Sequence, residues 1–545
     1  MGLGFTEYRE RDALRENCTA AKLVADMVST SYGPAGMYKI LLRDDGDFNV
    51  TKNVEMLSKD VASVHPVVRL LVETGKSVKS STGDGFISTI ILAGQLIGRA
   101  WKLIQEGIHP EVISRGYHIA SRMASQTISR YSIAISHRDR HVLDAVVKTL
   151  LNTKLSHSLS DKLAPMLVEA LLGTAQNFGD GVRVDGELVV IEGRRGGSLS
   201  DTELIDGVVL HKRGVDRLMP RRIENARIAL VYGGFSIERP DMFTKVVLSK
   251  TFGISDFYRA RQEFFDDVVE PILKLGVNVV ICGENIDEML RRLLARHNVL
   301  FVRNVSKENM KVIANAVGAV QVLNPRELSE EKLGRCKLVE ERILAALDRW
   351  IFFEGCPNER VKSILVRGPT DKVVEEVKRV LRDCLKTVEV LLNSKAAAVP
   401  GGGAIEIRTA ETLRNWAYSL GGKEQYAVLA FAEALEQLPA QLAKNVGVDH
   451  LDVLAELRRM NLDGFFGLDG LRGVIVNPFD SGILDPAFVK KECIAAATEV
   501  ASLVIRVDHT FIFPFKSVKK SPIPEPVKAV RRTSQILKNI RMRRT

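Results

Sequence analysis

Apolar residues along this chain follow two rhythms, which exchange near residues 204 and 370. Positions 20, 21, 23, 24, 27 and 28 are apolar at helical spacing and predict an amphipathic helix over 20–31. Tyr32-Gly33-Pro34-Ala35-Gly36-Met37 ends it, because proline and glycine both interrupt a helix. Ile40-Leu41-Leu42 reads as a short strand, and His65-Pro66 opens a helix through Leu70-Leu71-Val72. Another helix starts at Phe86, with apolar residues at 86, 87, 90, 91, 93, 97, 100 and 101. Gly107-Ile108-His109-Pro110 breaks the chain before a further helix near Glu111. Between 204 and 367 short apolar blocks (228–231, 277–282, 299–302 and 363–366) alternate with helical stretches, the signature of an α/β unit. A long amphipathic helix after Asp371 leads to Pro400-Gly401-Gly402-Gly403, and helices return from there on. Helical ends around an α/β middle predict an interrupted domain whose first and last parts fold together.

Length and composition narrow the class. At 545 residues the chain has room for about three or four domains, and 46% hydrophobic with 26% charged residues is globular composition. No run of about 18 apolar residues is present, so no membrane span is expected, and the N-terminus lacks the regions of a signal peptide. Six scattered cysteines without a CxxC pair predict neither a zinc site nor a disulfide framework, which fits a reducing, cytoplasmic compartment. The net charge of +10 is concentrated in residues 516–545, which hold ten Lys/Arg and one Glu. A nearly neutral body argues against a nucleic-acid surface across the protein, and leaves the basic tail as the one segment with that character.

Candidate chemistry centres on Gly83-Asp84-Gly85 at the start of the helix from Phe86. A glycine turn opening a helix presents unpaired N–H groups and the positive end of the dipole, where anions bind. Asp84 would repel a phosphate but holds a divalent cation that bridges to one. The same residues also fit an ordinary turn before a core helix. The turns at 32–37 and 400–403 are further places where backbone comes close to a phosphate, ribose or base. Gly75-Lys76-Ser77 is not a P-loop, since Leu70 stands where that motif needs glycine.

These three glycine turns, together with Gly107-Ile108-His109-Pro110, Arg382-Asp383-Cys384-Leu385 and Ile505-Arg506-Val507-Asp508, resemble the group II chaperonins over nearly the whole chain. Val339-Glu340-Glu341-Arg342, Ile351-Phe352-Phe353-Glu354-Gly355-Cys356 and Gly421-Gly422-Lys423-Glu424-Gln425 resemble the archaeal thermosome subunits most. The eukaryotic CCT/TRiC subunits, which fold actin and tubulin, are the alternative, theta-like around 399–404. The resemblance implies a multidomain α/β chaperonin fold in three domains. A mostly helical equatorial domain would comprise 1–135 and 397–545, a hinge-like intermediate domain 136–203 and 362–396, and an α/β apical domain with a helical protrusion 204–361. It implies ATP/ADP and Mg²⁺ as cofactors, and identical or paralogous subunits in a double ring that encloses unfolded clients.

Carried over residue by residue, Tyr32, Gly33 and Pro34 would line the nucleotide, and Gly85, Phe86, Ile87 and Ser88 would form the phosphate loop. Asp84 would hold magnesium and Asp383 orient the attacking water. Gly402 and Gly403 would face the base or ribose, and Asp485 the ribose hydroxyls. Clients would meet the helix of 306–317, and 243–261 would form the protrusion. The chain departs from the family pattern where Thr51-Lys52-Asn53-Val54 puts a neutral Asn53 in place of a second carboxylate, and where Phe86 and Ile87 lack hydroxyls. The expectation is therefore a subunit that binds ATP and hydrolyses it weakly, with a purely structural ring subunit as the alternative.

Overall fold

The structure, a computed structural model, describes residues 6–42, 48–52, 65–178, 181–233, 235, 267–345, 348–394 and 397–512. Asn53, the 243–261 segment and the basic tail lie outside the described residues. The chain forms two compact units, residues 17–506 and, from its two ends, 1–16 with 507–545. In the smaller unit strands Thr6–Arg9 and His509–Ile512 pair antiparallel, Thr6 facing Ile512 and Arg9 facing His509.

Within the larger unit, helices from both halves of the sequence make one layer. Phe86–Gln105 and Pro110–Arg130 each pack on Ala487–Val504 and on Glu424–Leu435. Phe86–Gln105 is the one described helix long and apolar enough to cross a bilayer, yet 56% of that window is buried inside the protein. Ser88, Thr89, Gln95, Arg99 and Lys102 interrupt its apolar run. Ile90, Leu92, Leu96 and Ile97 have no exposed surface, so each adds about 2 kcal/mol of hydrophobic burial to this layer. It is a core helix.

The middle of the chain holds an eight-stranded mixed sheet. Its order is Leu300–Val302, Val279–Cys282, Arg222–Val231, Gly334–Ala345, Asp348–Glu354, Glu203–Leu210, Lys362–Gly368 and Val189–Arg195. The predicted blocks at 228–231, 277–282, 299–302 and 363–366 are strands of this sheet. The antiparallel pair Gly334–Ala345 and Asp348–Glu354 escaped the sequence pattern, because charged residues such as Glu340, Arg342 and Arg349 dilute its apolar alternation. On one side of the sheet the Lys307–Val317 helix, capped by the Ser306 hydroxyl, buries Met310, Ile313, Ala316 and Val317. Lys307, Lys311 and Asn315 stay exposed.

A second core lies below, between the helices Arg140–Asn152, His157–Gly173 and Asp371–Asn393. The Asp371–Asn393 helix starts where the Thr370 side chain accepts from the Val373 N–H, a cap that satisfies one of its open donors. Its Val374, Val377, Val380, Leu381, Cys384 and Val388 face that core, which leaves Glu376, Arg379 and Asp383 on the other side.

Candidate functional site

The three glycine turns meet at one cavity of about 730 Å³. The first is held by Ser31, whose hydroxyl donates to the Met37 carbonyl at 2.8 Å, and by Met37 N–H donating to the Thr30 carbonyl at 2.8 Å. Asn445 ties it to the distant half of the chain by donating to the Ser29 and Tyr32 carbonyls, both at 2.8 Å. Gly33 has φ +78°, and a Cβ there would stand 2.4 Å from Leu442. Only glycine fits.

The second turn joins two helices. Gly83, φ 84°, ends Pro66–Thr82, and Gly85, φ 89°, precedes Phe86–Gln105 without a capping side chain. A Cβ on Gly83 would come within 2.5 Å of the Asp383 carbonyl and 2.4 Å of the Thr387 hydroxyl, so the bare backbone lets this loop lie against the 371–393 helix. The Thr82 hydroxyl, 2.8 Å from the Asp84 carbonyl, stiffens the turn. The first N–H groups of Phe86–Gln105 have no partner inside their helix and give this wall a positive end.

The third turn is anchored by strand Ala397–Pro400, which pairs with Leu484–Pro486 so that Val399 faces Asp485. Gly401 N–H donates to the Ile483 carbonyl, and Leu468 N–H to the Gly402 carbonyl, both at 2.8 Å. Gly402 and Gly403 take φ 64° and 84°, and side chains there would strike Leu468 and Pro439. Pairing Val399 with Asp485 is what brings that carboxylate beside the glycines.

The residues carried over to the nucleotide site all line this cavity: Tyr32, Gly33, Pro34, Asp84, Gly85, Phe86, Ile87, Ser88, Asp383, Gly402, Gly403 and Asp485. Phe86 is at the same time a core residue. Its ring is buried with Val24, Val28, Val68, Ile90 and Leu438, and sits where a Cβ on Gly75 would be only 2.9 Å away. Ile87 packs half-buried on the same cluster. The Ser88 hydroxyl reaches the buried Tyr32 phenol, which burial holds well above the usual tyrosine range.

Sequence reasoning missed the lysines. Lys154 Nζ lies 3.3 Å from Asp84 Oδ1, Lys79 Nζ 2.9 Å from Asp383 Oδ2, and Lys490 Nζ 2.9 Å from Asp485 Oδ2 and 2.6 Å from Glu406 Oε1. Burial opposes the charge on Lys154 and Lys490, but their carboxylates outweigh it and raise both above the ordinary lysine value, Lys490 strongly. Lys52 donates to the Pro34 carbonyl at 2.9 Å and lies 5.1 Å over the Tyr38 ring, and burial lowers its proton affinity. A weak signal existed for two of them. Lys79 falls one turn before Gly83, and Lys154 falls in the polar break between two helices.

Among the described residues no group of three or more His, Cys, Asp or Glu is arranged to hold a metal. Asp84 alone fits an ion whose remaining ligands are phosphate oxygens and water, which is how Mg²⁺ commonly binds with nucleotides. The glycine cradle and the helix N-terminus fit the phosphates of such a ligand.

Residues 24–512 match the family model of the TCP-1/cpn60 chaperonin family. The chain is 35% identical over 517 residues to thermosome subunit alpha of Archaeoglobus fulgidus, covering 94% of each. It is 38% identical over 502 residues to thermosome subunit beta of Aeropyrum pernix, covering 91% of each. The thermosome subunit of Methanopyrus kandleri is 36% identical over 507 residues, with 93% of each covered.

Proposed function

The chain belongs to the TCP-1/cpn60 chaperonin family, as a thermosome-like group II chaperonin subunit, and we propose that its cavity binds ATP with Mg²⁺ to drive a protein-folding ring. The observation that carries this reading is the convergence of three glycine turns, 32–37, 83–85 and 400–403, with Asp84 on one cavity. Tyr32, Gly33 and Pro34 form one wall of the nucleotide site. Gly402, Gly403 and Asp485 form the wall for ribose and base. Gly85 to Ser88 receive the phosphates on backbone N–H groups. Asp84 would hold magnesium, which when bound would supply neutralisation of phosphate charge. Asp383 faces the phosphate end and accepts a hydrogen bond from the attacking water.

Hydrolysis is slow in this subunit. Both carboxylates that the chemistry requires are already engaged by lysines, Asp84 by Lys154 and Asp383 by Lys79. Asn53 supplies no second base. The three-domain division at 135/136, 203/204, 361/362 and 396/397 is part of this reading; one core on the strands of 222–302 and another around the 371–393 helix support it, although Leu188, Ile135, Ala398 and Leu484 join those cores across the boundaries. Clients meet the exposed Lys307, Lys311 and Asn315 face of the helix on the sheet, and the subunit sits in the cytoplasm in a double ring of identical or paralogous copies. Six free, buried cysteines suit a reducing compartment.

The test is a Mg-ATP titration of assembled protein combined with turnover. Binding is expected in the wild type and is lost in Gly403→Val, whose side chain would meet Pro439. Asp383→Ala is expected to leave binding intact and to reduce an already low turnover. A wild type that binds no nucleotide would favour a structural ring subunit instead.

A further inference from the structure

Two cysteines far from the nucleotide cavity face each other at the end of a strand pair. Leu338 pairs with Glu354 and Val339 with Phe353, and Lys337 N–H donates to the Gly355 carbonyl at 3.2 Å. Just past the end of that ladder, where Gly355 bends the chain at φ 66°, Cys356 comes beside Cys336, and their sulfurs lie 3.7 Å apart. Bond formation therefore needs side-chain rotation and about 1.7 Å of sulfur approach, with no change of register.

Both thiols line a second cavity of about 810 Å³. Its wall carries four cations, Arg227, Arg335, Lys337 and Lys362, against the carboxylates Asp206 and Glu359. Lys362 is paired with Asp206 at 2.6 Å, and the charge that acts on Cys336 is the Glu354 carboxylate, which disfavours its thiolate. The hydrogen bond from the Cys356 thiol holds Cys336 below the usual thiol range. The same hydrogen bond and burial push Cys356 well above the usual thiol range, and burial pushes Cys18, Cys282, Cys384 and Cys493 up to about 12, so Cys336 is the thiol of the six that ionises first.

We propose that Cys336 and Cys356 are an oxidative modification site that closes to a reversible disulfide when a small peroxide enters this cavity. The Cys336 thiolate attacks one peroxide oxygen, the O–O bond breaks, and the departing hydroxide takes a proton and leaves as water. Cys356 then attacks the resulting sulfenic sulfur, forming the S–S bond and releasing a second water. Two thiols lose two electrons and two protons to one peroxide, so the step balances. The product staples the strand pair that supports the Lys307–Val317 helix on this sheet, and a reducing dithiol reverses it.

The experiment treats the full-length protein with hydrogen peroxide, unfolds it with free thiols blocked, and measures intact mass, thiol count and peptide map. Two of the six thiols are expected to disappear, with a mass lower by two hydrogens and a single linked peptide pair joining Cys336 to Cys356. Dithiothreitol should restore all six. Cys336→Ser and Cys356→Ser should each abolish the linked product. Retention of six thiols, stable oxygen adducts without a bridge, or a bridge through any other cysteine would overturn the proposal. The wild-type peptide map decides this even where a variant folds poorly.

Discussion

Asp383 shows how a single ion pair tunes the site. Lys79 and Asp383 are both largely buried, at 12% and 19% side-chain exposure, so their 2.9 Å contact is little screened by solvent. An ammonium on one oxygen draws charge from the whole carboxylate, which weakens the other oxygen as the acceptor proposed for the attacking water. Lys79→Gln removes the charge while keeping a polar side chain, and is expected to raise ATP turnover by roughly tenfold, about 1.4 kcal/mol in the barrier. Lys79→Arg should keep the low rate. ATP affinity and turnover measured together separate this effect from one on binding. Unchanged turnover with intact binding would show that Lys79 does not restrain the site.

At the scale of elements, Phe86 trades a hydroxyl position for core packing. Its ring fills the space beside Gly75, joining the helices Pro66–Thr82 and Phe86–Gln105. Phe86→Thr is expected to cost about 3 kcal/mol, as other large-to-small core changes do. Gly75→Ala alone should also destabilise, because its Cβ meets the ring at 2.9 Å. Together they should cost less than the sum, since each relieves the other, and a double-mutant cycle by urea unfolding measures the coupling.

Another junction lies between the helices Glu424–Leu435 and Gln437–Val446, where Glu436 is buried against Arg458 and Arg414. Burial raises its proton affinity, but the two guanidiniums outweigh burial and leave it below the usual glutamate value. A depressed carboxyl contributes stability that is present above its unfolded value near 4.5 and is lost as pH falls through the folded one. Unfolding scans between pH 7 and pH 3 should therefore show an acid limb that Glu436→Gln flattens, at a cost of about 3 kcal/mol near neutrality.

For the whole molecule the decisive quantity is mass. A thermosome-like subunit should assemble into a closed double ring, with nucleotide and Mg²⁺ changing its stability or compactness. Native mass spectrometry with and without Mg-ATP checks this. A free monomer under every assembly condition would count against a ring.

The sequence by itself determined the three glycine turns, the helix from Phe86, the α/β middle and Asp84 between two glycines, whereas Asp383 and Asp485 stood out only through the resemblance to the group II chaperonins. The former are local matters, since a positive φ needs glycine and a helical period needs apolar residues a turn apart. Only the tertiary structure decided that turns separated by up to about 370 residues close one cavity, because strand pairing sets Val399 against Asp485 and packing sets Gly83 against Asp383. It also decided that Phe86 belongs to the core and that Lys79, Lys154 and Lys490 occupy the carboxylates. A lysine on a helix reads as solvated until its partner is known, and the partner here comes from another segment of the chain. The Gly83-Asp84-Gly85 turn thus carries its carboxylate in its own sequence, and the Lys154 ammonium paired with that carboxylate arrives only through folding.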